Sequence, residues 1–170
     1  IQQLLAEAGR TGVSADVVQV AGKGAEAAPD MADVASPETY IGYNRAEDFA
    51  SAETAVHDLP TLYTIAPQLA LNHWGLAGNW TIGKERAVLN GADGSITYRF
   101  HARDLHLVLG PGSDGKPVKF RILIDGHAPG NDHGADVDAA GNGIVTDERL
   151  YQLVRQSTPV VDRTFEIQFL

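Results

Sequence analysis

Hydrophobic positions along this chain of 170 residues change their period near residue 40. Ile1, Leu4, Leu5 and Ala8 recur at i, i+3, i+4 and i+7, the spacing of one helical face, and Gly9 follows where a helix commonly stops. No N-capping residue precedes Ile1, so residues 1–9 are expected to be the remnant of a helix belonging to a preceding domain. Residues 10–35 are rich in Ala, Gly and small polar side chains and contain no aromatic ring, the composition of a linker. Within it, Asp16, Val17, Val18, Gln19 and Val20 have the makings of one short strand.

All twelve aromatic residues fall at Tyr40 or later, and there the apolar period becomes two, which predicts strands buried on one face. Trp74, Leu76, Trp80 and Ile82 form one row, interrupted by Gly78, where a bulge is expected. Ile96, Tyr98, Phe100 and Ala102 form the clearest row, opposite Thr97, Arg99 and His101. Beyond Arg103 and Asp104 the parity shifts to Leu105, Leu107 and Leu109, predicting a bulge or corner. Val118, Phe120, Ile122 and Ile124, then Phe165, Ile167 and Phe169, make two more rows. Residues 150–155 also look like a strand, but the pattern leaves its buried face open. Gly, Pro and Asp turn clusters separate these runs, so the fold class expected is mainly β: an antiparallel, jelly-roll-like β-sandwich over residues 36–170. The hydrophobic pattern still runs at Leu170, which suggests a final strand beyond it.

Charge narrows the function. With 22 acidic against 13 basic side chains, the net charge of −9 repels a phosphate backbone, so nucleic acid is not an expected partner. No apolar stretch approaches the roughly 20 residues of a membrane-spanning helix, so direct membrane insertion is not expected either. There is no cysteine, hence no thiolate nucleophile and no disulfide in this chain.

Three motifs invite chemistry. Gly110, Gly115 and Lys116 imitate the spacing of a phosphate-cradling loop, but Pro117 and then a strand follow where a hydroxyl and a helix are needed, so a hairpin loop is expected. Residues 125–148 carry six carboxylates and neither Lys nor Arg. Asp136, Asp138, Gly141, Asn142 and Asp147 stand at positions 1, 3, 6, 7 and 12 of a calcium-binding loop. Asp136, Asp138, Asn142 and Asp147 are thus candidate Ca²⁺ ligands. Ala140 and Gly143 depart from that pattern and leave a solvated acidic loop with Asx turns as the alternative. His101, Asp104, His106, His127 and His133 lack the spacing of a zinc hydrolase and no Ser sits in a nucleophile elbow, so no catalytic set is expected.

The remaining constellation is a polar row: Thr97, Arg99 and His101 on one strand, Lys119 and Arg121 on another, Tyr151, Gln152 and Arg155 on a third. If these strands are neighbours, Arg99, His101 and Arg121 supply donors, Tyr151 a stacking surface and Gln152 an orienting amide, a set suited to sugar hydroxyls. The alternative is the wet side of an ordinary sheet.

The segments Ser36-Pro37-Glu38-Thr39-Tyr40-Ile41-Gly42-Tyr43, residues 74–80, Tyr98-Arg99-Phe100-His101-Ala102-Arg103-Asp104-Leu105-His106-Leu107-Val108-Leu109-Gly110-Pro111 and Arg149-Leu150-Tyr151-Gln152-Leu153-Val154-Arg155-Gln156 resemble the C-terminal region of DipZ-type proteins. In these, a membrane electron-transfer unit related to cytochrome c biogenesis proteins is fused to a thioredoxin-like domain and a carbohydrate-binding-module-like β-sandwich. The resemblance implies an extracytoplasmic location, a thioredoxin-like domain as the preceding partner, and a parent protein engaged in thiol-disulfide exchange. It transfers no redox residue, because the Cys-x-x-Cys motif is absent. The function expected is a non-catalytic accessory module, binding a saccharide or envelope glycan. The alternative is a structural or protein-interaction domain that positions the thiol-exchange partner without a small ligand.

Overall fold

A computed structural model describes residue 28, residues 30–157 and residues 159–170. The helix expected over residues 1–9 and the strand expected at residues 16–20 lie outside the described residues. Among the described residues there are nine strands and no α-helix: β1 (Thr61–Tyr63), β2 (Trp74–Ile82), β3 (Ala87–Leu89), β4 (Ser95–Phe100), β5 (Asp104–Leu109), β6 (Val118–Ile124), β7 (Asn142–Val145), β8 (Arg149–Arg155) and β9 (Arg163–Phe169). A seven-stranded sheet runs β1-β2-β4-β9-β6-β7, with β3 also paired to β2; β5 and β8 form a second sheet. Every strand pairing is antiparallel, and the architecture is sandwich-like.

The alternation read from the sequence becomes the inner face of the large sheet. Ile96, Phe100, Phe120, Ile122, Ile124, Phe165 and Ile167 are all buried, because the pairing of β4, β9 and β6 brings their apolar positions side by side. Gly78 has φ of +95°, and a Cβ there would lie 2.9 Å from the Gly94 backbone, so the break expected in the β2 row exists and needs glycine. The corner expected near Arg103 is a change of layer: the chain leaves the large sheet at Phe100 and re-enters in the small one at Asp104. The expected bulge sits just beyond, at Leu105 and His106. Residues 110–117 are not a hairpin loop, as the sequence suggested, but a crossover. They join β5 of one sheet to β6 of the other, and the two strands do not pair.

The buried face of residues 150–155, open in the sequence, is settled by packing. Tyr151, Leu153 and Val154 are inward, the bulge opposite Leu105 letting two consecutive residues turn toward the core. Tyr151 meets Phe120 of the large sheet edge to face, ring centroids 6.4 Å apart and planes at 88°. Its hydroxyl accepts from the Thr146 and Asp147 amides at 3.0 and 3.3 Å and donates to the Asp147 carbonyl at 3.0 Å. One side chain therefore fastens the two layers and the turn that leads into β8.

Two substitutions separate these roles. Tyr151→Phe keeps the ring and strips the turn of its partner, and is expected to cost about 1–3 kcal/mol of unfolding free energy. Tyr151→Ala also opens a cavity between the sheets and is expected to cost about 3–5 kcal/mol. Equilibrium urea denaturation checks both values; equal losses for the two variants would mean that the ring carries nothing.

Candidate functional site

The polar residues picked from the sequence do not form one surface. Arg99 and Arg121 do share the outer face of the large sheet, but β9 lies between their strands, and they pair with Thr164 and Gln168 respectively. Four residues along a strand and two strand spacings place them roughly 16 Å apart. Tyr151 and Gln152 belong to the other sheet. Tyr151 is fully buried and cannot offer a stacking face to a ligand; the arginine over its ring is Arg149, at 3.7 Å. Alternation alone could not reveal this, since an aromatic residue on a strand of undecided parity fits either side. The Gln152 backbone N–H donates to Asp136 Oδ2 at 2.7 Å.

What does assemble is a cleft on the outer face of the large sheet. Its floor is Thr97 and Arg99 of β4, Thr164 of β9 and Asp162 just before β9; its wall is the loop of residues 65–71. The cleft has a volume of about 650 Å³. Arg99 Nη2 donates to Asp162 Oδ2 at 3.4 Å, and both side chains remain partly exposed. The wall supplies aliphatic surface from Ile65, Pro67, Leu69 and Leu71, and an amide from Gln68. Of the residues named from the sequence, Thr97 and Arg99 line this cleft; Asp162, Thr164 and the 65–71 loop were missed. The alternation of Thr164 with Phe165 was the available signal, since it puts Thr164 on the same face as Arg99 once β9 and β4 are paired.

His101 stands beside the cleft, one strand position past Phe100, with each ring nitrogen on a carboxylate. Nδ1 lies 2.7 Å from Asp162 Oδ1 and Nε2 lies 3.1 Å from Asp33 Oδ1. Only the imidazolium can donate to both. The Asp162 and then the Asp33 hydrogen bonds accordingly raise the His101 pKa above its usual value. His101, followed by Arg99, holds the Asp162 carboxyl below the usual carboxylate range.

The acidic loop is organised by protein donors. Asp138 Oδ1 accepts from the Ala140 and Asn142 amides at 3.0 and 2.8 Å, an Asx-type turn, and the Asn142 backbone bond, then its side chain, lowers the Asp138 pKa. Asp136 takes Arg149 at 2.7 Å, with the Gln152 amide on its other oxygen, and Arg149 is the chief cause of its lowered pKa. Asp147 accepts from the Thr146 hydroxyl at 2.8 Å. Asp136, Asp138, Asn142 and Asp147, named above as candidate Ca²⁺ ligands, thus carry protein hydrogen bonds in this structure. The three carboxylates take different donors, Asn142 donates to Asp138, and among the described residues no three His, Cys, Asp or Glu side chains are placed to hold one metal ion. The spacing had suggested a cage because a sequence count cannot see that Arg149, just beyond the loop, folds back over it. His106, His127 and His133 likewise fail to converge: His127 Nδ1 lies on the Asp125 carbonyl and His133 Nδ1 on the Gly134 carbonyl. Among the described residues no helix is long and apolar enough to cross a membrane.

The His101 bridge sets a pH dependence. A raised histidine pKa contributes stability that is complete below about pH 6.5 and is lost as pH rises through the folded-state value. The lowered Asp162 pKa contributes stability present above about pH 4 and lost as pH falls through its depressed value. Wild type should therefore exceed His101→Asn in stability most clearly between about pH 4 and 6.5, with the gap narrowing above that range. Urea titrations at pH 5.5 and 9 check this, and an unchanged gap would contradict it.

The family model described as "Thioredoxin like C-terminal domain" matches residues 36–170. Protein DipZ of Mycobacterium bovis (strain ATCC BAA-935 / AF2122/97) and Protein DipZ of Mycobacterium tuberculosis (strain CDC 1551 / Oshkosh) are each 29% identical to this chain over 102 residues, covering 55% of it. The chain spans 14% of the length of these curated relatives. A β-rich domain without cysteine, similar to part of a much longer DipZ protein, lacks a thiol redox centre of its own. The match over residues 36–170 establishes that this chain belongs to the thioredoxin-like C-terminal domain family.

Proposed function

We propose that this domain is a non-catalytic accessory module of an extracytoplasmic DipZ-type protein, and that its outer-face cleft receives a saccharide unit of a cell-envelope glycan. The observation that supports this reading is the composition of the cleft floor: a guanidinium donor, a carboxylate acceptor and two hydroxyls from Arg99, Asp162, Thr97 and Thr164. Planar charged groups paired with hydroxyls match the alternating donors and acceptors around a sugar ring. The aliphatic wall suits the C–H face of that ring. Its volume lies within the range of about 300–1,000 Å³ usual for small-molecule sites. No aromatic ring lines the cleft, so the binding expected is weak, with Kd on the order of 1 mM. The family description, a thioredoxin-like C-terminal domain, supports a thioredoxin-like domain as the partner in this proposal.

A second reading, a protein-interaction domain without a small ligand, is favoured by a different surface. Val108 and Leu150 face each other across β5 and β8, and they are 63% and 44% exposed. An apolar cross-strand pair left in water suits the flank of a neighbouring domain.

Titration of ¹⁵N-labelled protein with a panel of mono- and disaccharides from envelope glycans is expected to shift amide resonances of residues 66, 68–71 and 164. Arg99→Ala should weaken binding at least about tenfold, through loss of a charge-assisted hydrogen bond. No shift with any sugar at tens of millimolar would sink the saccharide reading and leave the interaction surface as the function to pursue.

A further inference from the structure

The segment that enters the domain is fastened to the frame of the cleft. Arg103 Nη2 donates to the Ala28 carbonyl at 3.0 Å, and the Ala35 amide donates to the His101 carbonyl at 3.0 Å. The Ser36 hydroxyl accepts from the His101 amide at 2.8 Å and donates to Asn72 Oδ1 at 2.6 Å. Asn72 Nδ2 returns a bond to the Ala35 carbonyl at 3.2 Å, and Asp33 holds His101 Nε2. Such a set of side-chain bonds across more than 30 residues of sequence does not describe a loose tether.

The groups that grip this segment are also the groups that shape the cleft. Asn72 directly follows Leu71, the last wall residue; it holds a positive φ of +68°, and its amide bonds the Arg99 carbonyl at 2.8 Å. Asp162 shares its carboxylate between His101, which faces the entering segment, and Arg99, which faces the cleft. One hydrogen-bonded chain thus runs Asp33, His101, Asp162, Arg99, and another runs Ser36, Asn72, Arg99. Wall and floor are both tied to residues 33–36.

We propose that residues 33–36 are a strap that positions the cleft, with Asp33, Ser36, Asn72 and His101 acting as positioning residues for its wall and floor, so that seating of the strap and shape of the cleft change together. The proposal builds on the reading of the cleft as the binding site. It adds that the connection to whatever precedes residue 28 and the recognition of ligand share one network. Linkage makes the coupling reciprocal: a change in the cleft must be felt at the strap by the same factor as the reverse.

The test uses the 170-residue chain without any ligand, so it stands or falls separately from sugar binding. Asp33→Ala and Ser36→Ala are each expected to raise amide hydrogen exchange at Asn72 and Arg99 on the order of tenfold, and to shift resonances of residues 66 and 68–71. Exchange at Ile96, Phe165 and Ile167 in the sheet centre should stay at its wild-type rate. Asp33→Asn and Ser36→Thr, which keep an acceptor and a hydroxyl, should restore most of the protection. In the reverse direction, Arg99→Ala should raise exchange at Ala35. Wall resonances that stay put in the alanine variants, or exchange rising equally at the strap and the sheet centre, would overturn the proposal, the second because it denotes a general loss of stability. If these responses appear while no saccharide binds, the strap stands and the ligand assignment falls.

Discussion

The sandwich rests on the burial of β8 against the large sheet, and Tyr151 is where that burial is concentrated. A two-stranded sheet has little stability alone; it needs a hydrophobic partner to persist. The ring of Tyr151 supplies the contact to Phe120, while Leu153 and Val154, turned inward together by the bulge, widen it. The hydroxyl would be a liability in such a place, but the turn at Thr146 and Asp147 satisfies it completely. Apolar packing and polar satisfaction meet on one residue, and the layer spacing follows from it.

That placement explains why the large sheet can leave its other face open. Its inner face carries the core, so the outer face is free to hold Thr97, Arg99, Thr164, Glu166 and Gln168. The 65–71 loop roofs only part of it, and the result is a cleft whose floor is strand and therefore held in place. A site floored mainly by two adjacent strands inherits the rigidity of the sheet.

Much of the fold was legible in the sequence because alternation is a local signal. Ile96, Phe100, Phe120, Ile122, Phe165 and Ile167 read as inward, and they are. Gly78 read as a break, and its positive φ makes it one. The candidate site was harder because it depends on which strands are neighbours, a property of long-range pairing. Arg99 was visible as a polar residue on a strand, but nothing in the sequence put Asp162 beside it or removed Arg121 to the far side of β9. Tyr151 was misplaced for the same kind of reason: a bulge shifts parity, and the bulge is decided by the partner strand. The Asp136–Asp147 spacing counts oxygens and cannot show the donors, such as Arg149, that tertiary folding brings to them.

The position of β9 has a consequence for how the domain comes into being. It lies between β4 and β6, hydrogen-bonded to both, yet follows every other strand in sequence. On a ribosome, β4 and β6 would emerge able to pair with β2 and β7 on one side only, each with its other edge unsatisfied until β9 has been made. Such a polypeptide acquires its keystone after its flanks, and during that delay the two open edges are the places where aggregation can start.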